Sequence, residues 1–127
     1  MPSAVVTEGC VFEDGGGQFL ARIIGIDGNI IGQVNITGIT FSVHELASGI
    51  EIVAPVALTV VNVVFNTLQN DGRWTKDSQG YNFLHEVAAS VFSTSNIKYR
   101  VEYLFDPAAG EDYWAIFEVA VVKVIRT

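Results

Sequence analysis

Side chains that could carry a reaction are few in this sequence. His44 and His85 are its two histidines. A zinc centre takes three or four ligands, and neither histidine has a cysteine or a second histidine at a ligand spacing, so no metal is expected. Each is expected as an outward-facing strand residue. Ser42 and His44 fall on one side of an alternating stretch and, with the scattered acids, imitate a hydrolase triad. The flanking glycines of a nucleophile elbow are missing, so the chain is not expected to be an enzyme. Cys10 is the single cysteine; it excludes an internal disulfide and is expected as a small buried or partly buried hydrophobe. Residues 71–80 have the turn residues of a calcium loop but lack acids at the alternating positions and the closing glutamate. Asp106, Glu111 and Asp112 cluster on one turn and read as a solvated hairpin tip. No cofactor is expected.

One constellation supports a sharper expectation. Trp74 lies within the longest polar excursion of the chain and Tyr81 directly follows it, and Tyr113 and Trp114 stand at the start of its last strand. Aromatic rings stack on sugar faces or anchor protein interfaces, so these four are the candidate interaction residues. The competing expectation is that Trp74 folds back as a lid on the end of the domain while Trp114 packs on Leu104.

The elements that must position these rings are strands. Val and Ile number 30 against 6 Leu, and branched side chains suit a pleated surface, so the class is all-β. The firmest element is the final hairpin, residues 98–105 and 113–124 around a turn-rich loop. Tyr99, Val101, Tyr103 and Phe105 alternate with Lys98, Arg100, Glu102 and Leu104, the period of a strand with one buried face. Pairing Phe105 with Tyr113 sets Tyr103 against Ala115, Val101 against Phe117 and Tyr99 against Val119. The opposite face then places Arg100 beside Glu118 and Leu104 beside Trp114. A change of apolar phase at Val122 and Val124 suggests a bulge near residues 120–122.

Upstream, residues 1–17 read as an arm that ends in the hinge Glu13-Asp14-Gly15-Gly16-Gly17, and residues 18–127 as the folded domain. Residues 18–26 suggest a strand, Asp27-Gly28-Asn29 a tight turn, and residues 38–46 a half-solvated strand. Pro55 marks an edge. Residues 56–68 are apolar on both faces, as in a central strand or one covered by another subunit. Residues 69–80 form a long loop, and residues 81–87 a strand followed by a helical turn. About seven strands at this spacing describe an antiparallel β-sandwich, immunoglobulin-like, with a flexible N-terminal arm.

A chain of 127 residues fits one domain. Half of it is hydrophobic, more than a sandwich with two solvated outer faces needs, so further burial by other molecules is expected. A membrane is not the cover, since the longest apolar stretch, residues 52–65, falls short of the roughly 20 residues that span and contains Pro55, Thr59 and Asn62. The N-terminus lacks the basic start and apolar core of a signal peptide, which points to synthesis in a cytoplasm. The net charge is −7, and without runs of Lys or Arg direct nucleic-acid binding is not expected.

Gly80-Tyr81-Asn82-Phe83, Phe92, Tyr99-Arg100-Val101-Glu102-Tyr103, an Ala-Gly turn and Phe117-Glu118-Val119 resemble the C-terminal half of small immunoglobulin-like modules in tailed-phage virion and baseplate proteins. Ile26-Asp27-Gly28-Asn29 and Ile39-Thr40-Phe41-Ser42-Val43 are similar to such modules too, so the resemblance covers about two-thirds of the chain. It implies a structural role in a virion, with partners among copies of itself or other virion proteins, and no enzymatic activity. It transfers no site residues, because a shared fold does not carry a shared site. A carbohydrate-binding module using Trp74, Tyr81 and Trp114 is the alternative expectation.

Overall fold

The alternation of the last two strands folds as the pattern requires. The computed structural model describes residues 6–25 and 27–123. Its strands are β1 (Val6–Phe12), β2 (Gly17–Ala21), β3 (Ile36–Glu45), β4 (Glu51–Leu58), β5 (Val64–Gln69), β6 (Tyr81–Val87), β7 (Lys98–Pro107) and β8 (Tyr113–Val122). In the β7–β8 hairpin Phe105 faces Tyr113, Tyr103 faces Ala115, Val101 faces Phe117 and Tyr99 faces Val119, with Arg100 opposite Glu118 and Leu104 opposite Trp114. The register is the expected one. The ion pair of Arg100 instead runs along its own strand, to Glu102 at 3.1 Å. No bulge interrupts the end of β8: Lys98 pairs with Ala120, and on the other side Val11 and Phe12 pair with Val121 and Val122. Val121 is buried and Val122 exposed, as continued alternation demands; Val124 lies outside the described residues.

The strands form two sheets, one in the order β1-β8-β7-β3-β4 and one in the order β2-β6-β5. With β2, β6 and β5 as strands B, E and D, and β8, β7, β3 and β4 as G, F, C and C′, this is the strand order of an immunoglobulin-like sandwich. The eighth strand is the departure. Residues 6–12, expected within a flexible arm, form β1, which lies parallel on β8 from Val6↔Ile116 to Phe12↔Val122. The free edge of β8 accounts for this, because its unpaired backbone groups form a ladder with any extended segment the hinge can deliver. Residues 1–5 lie outside the described set. Cys10 therefore sits exposed on an edge strand, not as a buried hydrophobe.

The doubly apolar stretch 56–68 is not one strand. β4 belongs to the large sheet and β5 to the small one, and the single helical turn α1 (Val60–Val63) carries the chain across. Branched valines make poor helix formers, but this turn buries Val63 and delivers Val64 into the core, so tertiary packing overrides propensity. The two apolar faces thus serve two sheets. Pro55 does lie on an edge, where β4 carries register shifts against β3. The strand expected over 18–26 stops at Ala21. Beyond it Ile24 bridges Ile30 across the expected turn, in which Gly28 has φ 82°.

Where sequence patterns placed both histidines outward, His85 turns inward. It belongs to the same face of β6 as Phe83 and Val87, and its Nδ1 lies 2.8 Å from the hydroxyl of Tyr103, which is fully buried. A second buried polar group, Asn82, points the other way. Its amide accepts from the Ile23 backbone N–H and donates to the Ile23 and Ile31 carbonyls, clamping the 23–31 hairpin onto β6 and leaving none of these groups unsatisfied.

Burial lowers the pKa of His85 from its ordinary 6.5. In the neutral tautomer protonated at Nε2, the Nδ1 atom accepts from the Tyr103 hydroxyl, which burial keeps protonated by raising the pKa of the phenol. A folded pKa below the unfolded one means that the stabilisation is complete above pH about 6.5 and is lost as pH falls through the lowered value. Thermal melts are expected to show a falling melting temperature between pH 7 and 5. His85→Gln should flatten that slope, whereas an unchanged slope would place the titration elsewhere.

Candidate functional site

Two aspartates organise the long loop. Asp71 accepts the Tyr81 hydroxyl at 2.7 Å and Nη2 of Arg73 at 2.9 Å. Asp77 pairs with Arg22 at 2.8 Å and accepts the Trp74 indole N–H at 2.9 Å and the backbone N–H of Gln79 at 2.9 Å. Asx turns of this kind replace the missing ladder with side-chain bonds. The loop closes at Gly80, whose φ is 104° and where a Cβ would run into the Gln69 carbonyl oxygen. Hydrogen bonds from Arg73 and Tyr81 hold the Asp71 carboxyl well below the usual carboxylate range. Arg22, followed by Trp74, does the same for Asp77.

The loop roofs a cleft of about 340 Å³ between the two sheets, walled by Leu20 to Arg22 and Ile24 on one side and Trp114 to Phe117 on the other, with Trp74, Lys76 and Asp77 above. The topology leaves this side open. β2 is the edge of the small sheet, and β1 joins β8 only from Ile116 onward, so residues 113–115 have no partner on that side among the described residues.

Of the four candidate aromatics, the cleft brings together Trp74 and Trp114. Trp74 is half-buried, 5.8 Å from the Tyr81 ring and 5.9 Å from the Arg22 guanidinium carbon. Trp114 is 54% exposed. Tyr81 is fully buried and acts through Asp71 and Arg73. Tyr113 faces the core side of β8, stacked on Phe105 at 5.3 Å, and burial pushes its phenol up to about 12. Lid packing therefore describes Trp74, and core packing describes both tyrosines. Sequence reasoning missed Arg22 and Asp77, which lie 55 residues apart; the recurring Asp-x-x-Gly turn signal could have singled out Asp77 but not its partner.

Chemically, the cleft offers apolar and aromatic contact, with Lys76, Arg22 and Asp77 as its charged groups. Its carboxylate and guanidinium are already paired with each other. Ser42 is buried and His44 lies 3.8 Å from Glu51 and 3.9 Å from Glu102 on the outer face of the large sheet. Among the described residues no group of three or more potential ligands gathers for a metal, and no helix is long and apolar enough to cross a membrane. At the hairpin tip, desolvation and the neighbouring Asp106 carboxyl raise the pKa of Asp112. No family model matches the chain, and neither does any curated protein or solved structure.

Because Asp71 and Asp77 titrate below their ordinary 3.8 when the loop is closed, their contribution is complete above pH about 4 and declines as pH falls through the lowered values. In Trp114→Phe protein, Trp74 emission is expected to hold constant from pH 7 to 4.5 and to shift red only in stronger acid. NMR titration of the two carboxyls should give values below 3.8; ordinary values would mean that the loop is open in solution.

Proposed function

We propose that the protein is a structural assembly component of a virion, working through contacts with copies of itself or with other virion proteins. The observation that carries this reading is β4. None of its eight residues is buried, yet it is apolar from Ile52 to Leu58. Ile50, Ile52, Val56 and Val61 are 60%, 41%, 48% and 63% exposed. Val53, Val56 and Leu58 lie opposite the buried Val43, Phe41 and Ile39 of β3, so they face the core side and remain accessible. The small sheet has three strands against five, and β4 is one of the two margins it leaves over.

Exposed apolar surface of this kind marks an interaction site. Pro55 and the register shifts of β4 discourage edge-to-edge strand addition, so the contact made here is one of side-chain packing. Support for the virion setting comes from the strand-and-turn resemblance of the C-terminal half, together with the immunoglobulin-like strand order. The acidic charge favours protein partners over nucleic acid.

Size exclusion coupled to light scattering is expected to show multimers at micromolar concentration. Ile52→Glu and Val61→Glu should each weaken assembly at least tenfold while shifting stability by no more than about 0.5 kcal/mol, as substitutions at exposed positions do. A monodisperse 13.8 kDa species would refute self-assembly.

A second reading, carbohydrate binding, rests on the shared cleft of Trp74 and Trp114. Because Arg22 and Asp77 are engaged with each other, few polar groups are left to orient a sugar. An oligosaccharide panel is expected to leave the tryptophan emission unchanged, and a saturable shift that Trp74→Ala abolishes would reverse the order of the two readings.

A further inference from the structure

We infer that β1 is an exchangeable strand, supplied by one copy of the chain to the β8 edge of another. The inference rests on the self-assembly reading above and adds the means by which one copy holds the next. Three observations carry it.

First, from Gly9 to Phe12 the attachment of β1 to its sheet is mainly backbone. The strand pairs with β8 over seven residues, yet from Gly9 to Phe12 only Val11 packs against the core. Cys10 is exposed, Phe12 is 60% exposed, and a Cβ built at Gly9 would meet nothing within 4 Å. A ladder of this kind is indifferent to which chain provides the strand, because the same hydrogen bonds form in either case.

Second, one short connector joins β1 to the rest of the described fold. Residues 13–16 turn from the large sheet into the small one, so opening that connector separates β1 from β2 while the β7–β8 hairpin and the β2-β6-β5 sheet keep their own ladders.

Third, the closed connector requires an unfavourable backbone. Asp14 has φ 56°, in the left-handed region that costs a residue with a Cβ more than the extended form does. The turn is closed by hydrogen bonds from Asp14 N to the Phe92 carbonyl and from Gly15 N to the Phe12 carbonyl. Extension relieves Asp14, and Gly15 and Gly16 adopt extended conformations freely. Short connectors under strain favour exchange between copies.

The ladder register supplies a direct test. Cys10 and Ala120 are partners on the outer face of the sheet, at the strand spacing of about 4.8 Å that a disulfide can span. In an Ala120→Cys variant, oxidation joins β1 to whichever β8 it occupies. Exchange predicts covalent dimers and higher species on a non-reducing gel. Mixing Cys10→Ser, Ala120→Cys chains with unaltered chains should then give a disulfide heterodimer, which only a strand from the other copy can form. Asp14→Pro, which cannot adopt the closed turn, should raise the heterodimer yield several-fold. Multimers in which every Ala120→Cys chain is linked internally would overturn exchange and leave the assembly reading intact. A 13.8 kDa protein by light scattering with internal links would overturn both, and failure of any link to form would refute the β1–β8 register on which exchange depends.

Discussion

Everything in this fold hangs on the ring of Tyr103. Immunoglobulin sandwiches of the antibody type join strands B and F with a disulfide packed against a tryptophan of strand C, a solution that a chain with one cysteine cannot use. Here the corresponding strands contribute Phe19 from β2, Phe41 from β3 and Tyr103 from β7. Tyr103 is 6.3 Å from Phe19, 5.4 Å from Phe41, 4.9 Å from Phe83 and 6.0 Å from Phe117, so one ring touches four strands in both sheets. Aromatic pairs of this type contribute about 0.5–1.5 kcal/mol each beyond the area they bury. The hydroxyl adds a hydrogen bond to His85 across the sheets. Non-directional packing alone would tolerate sliding of one sheet over the other, whereas a buried phenol with one acceptor fixes the sheets at a single offset.

That pin explains why the two sheets differ in width without loss of the core. The aromatic cluster sits under β7 and its neighbours β3 and β8, and the small sheet needs only β2, β6 and α1 with β5 to cover it. The strands at the margins of the large sheet, β1 and β4, then lie beyond the central cluster. Core-facing side chains of β4, such as Val53 and Val56, consequently remain in reach of solvent.

How much of this was legible in the sequence depended on the range of the interaction involved. The register of the final hairpin could be read to the residue because alternation, turn chemistry and cross-strand matching all restrict it, although the bulge expected near residues 120–122 does not form. The tight turn at Gly28 and the strand-then-turn of residues 81–92 were legible for the same local reason. Residues 56–68 misled, since a run apolar on both faces looks alike whether it is one central strand or two strands of different sheets with a turn of helix between. His85 was misplaced because its polarity outweighed its position in the alternation Tyr81, Phe83, His85, Val87. The candidate site was half legible. Aromatic residues near turns could be named from the sequence as a group, but which of them share a cleft depends on Arg22, just after β2, reaching Asp77 in the long loop, and on the hydrogen bond of Tyr81 to Asp71. Neither long-range pairing leaves a local pattern.

The same division of range bears on the two margins. β4 carries Pro55 and register shifts along its edge and exposes apolar side chains, so the assembly proposed above would use its face and not its ladder. β1 has a regular ladder, and from Gly9 to Phe12 only Val11 packs against the core. A contact through the face of β4 distinguishes partners by shape, whereas a contact through the ladder of β1 is strong but reads little sequence. A chain that assembles through both would use the packing face to select its neighbour and the strand to hold it. Because the two margins lie at opposite ends of one sheet, a copy that used both would present two separate contact surfaces. Reciprocal exchange of β1 would close a two-fold dimer, whereas one-way donation would extend from copy to copy and close into a ring only if the rotation between copies divides a full turn.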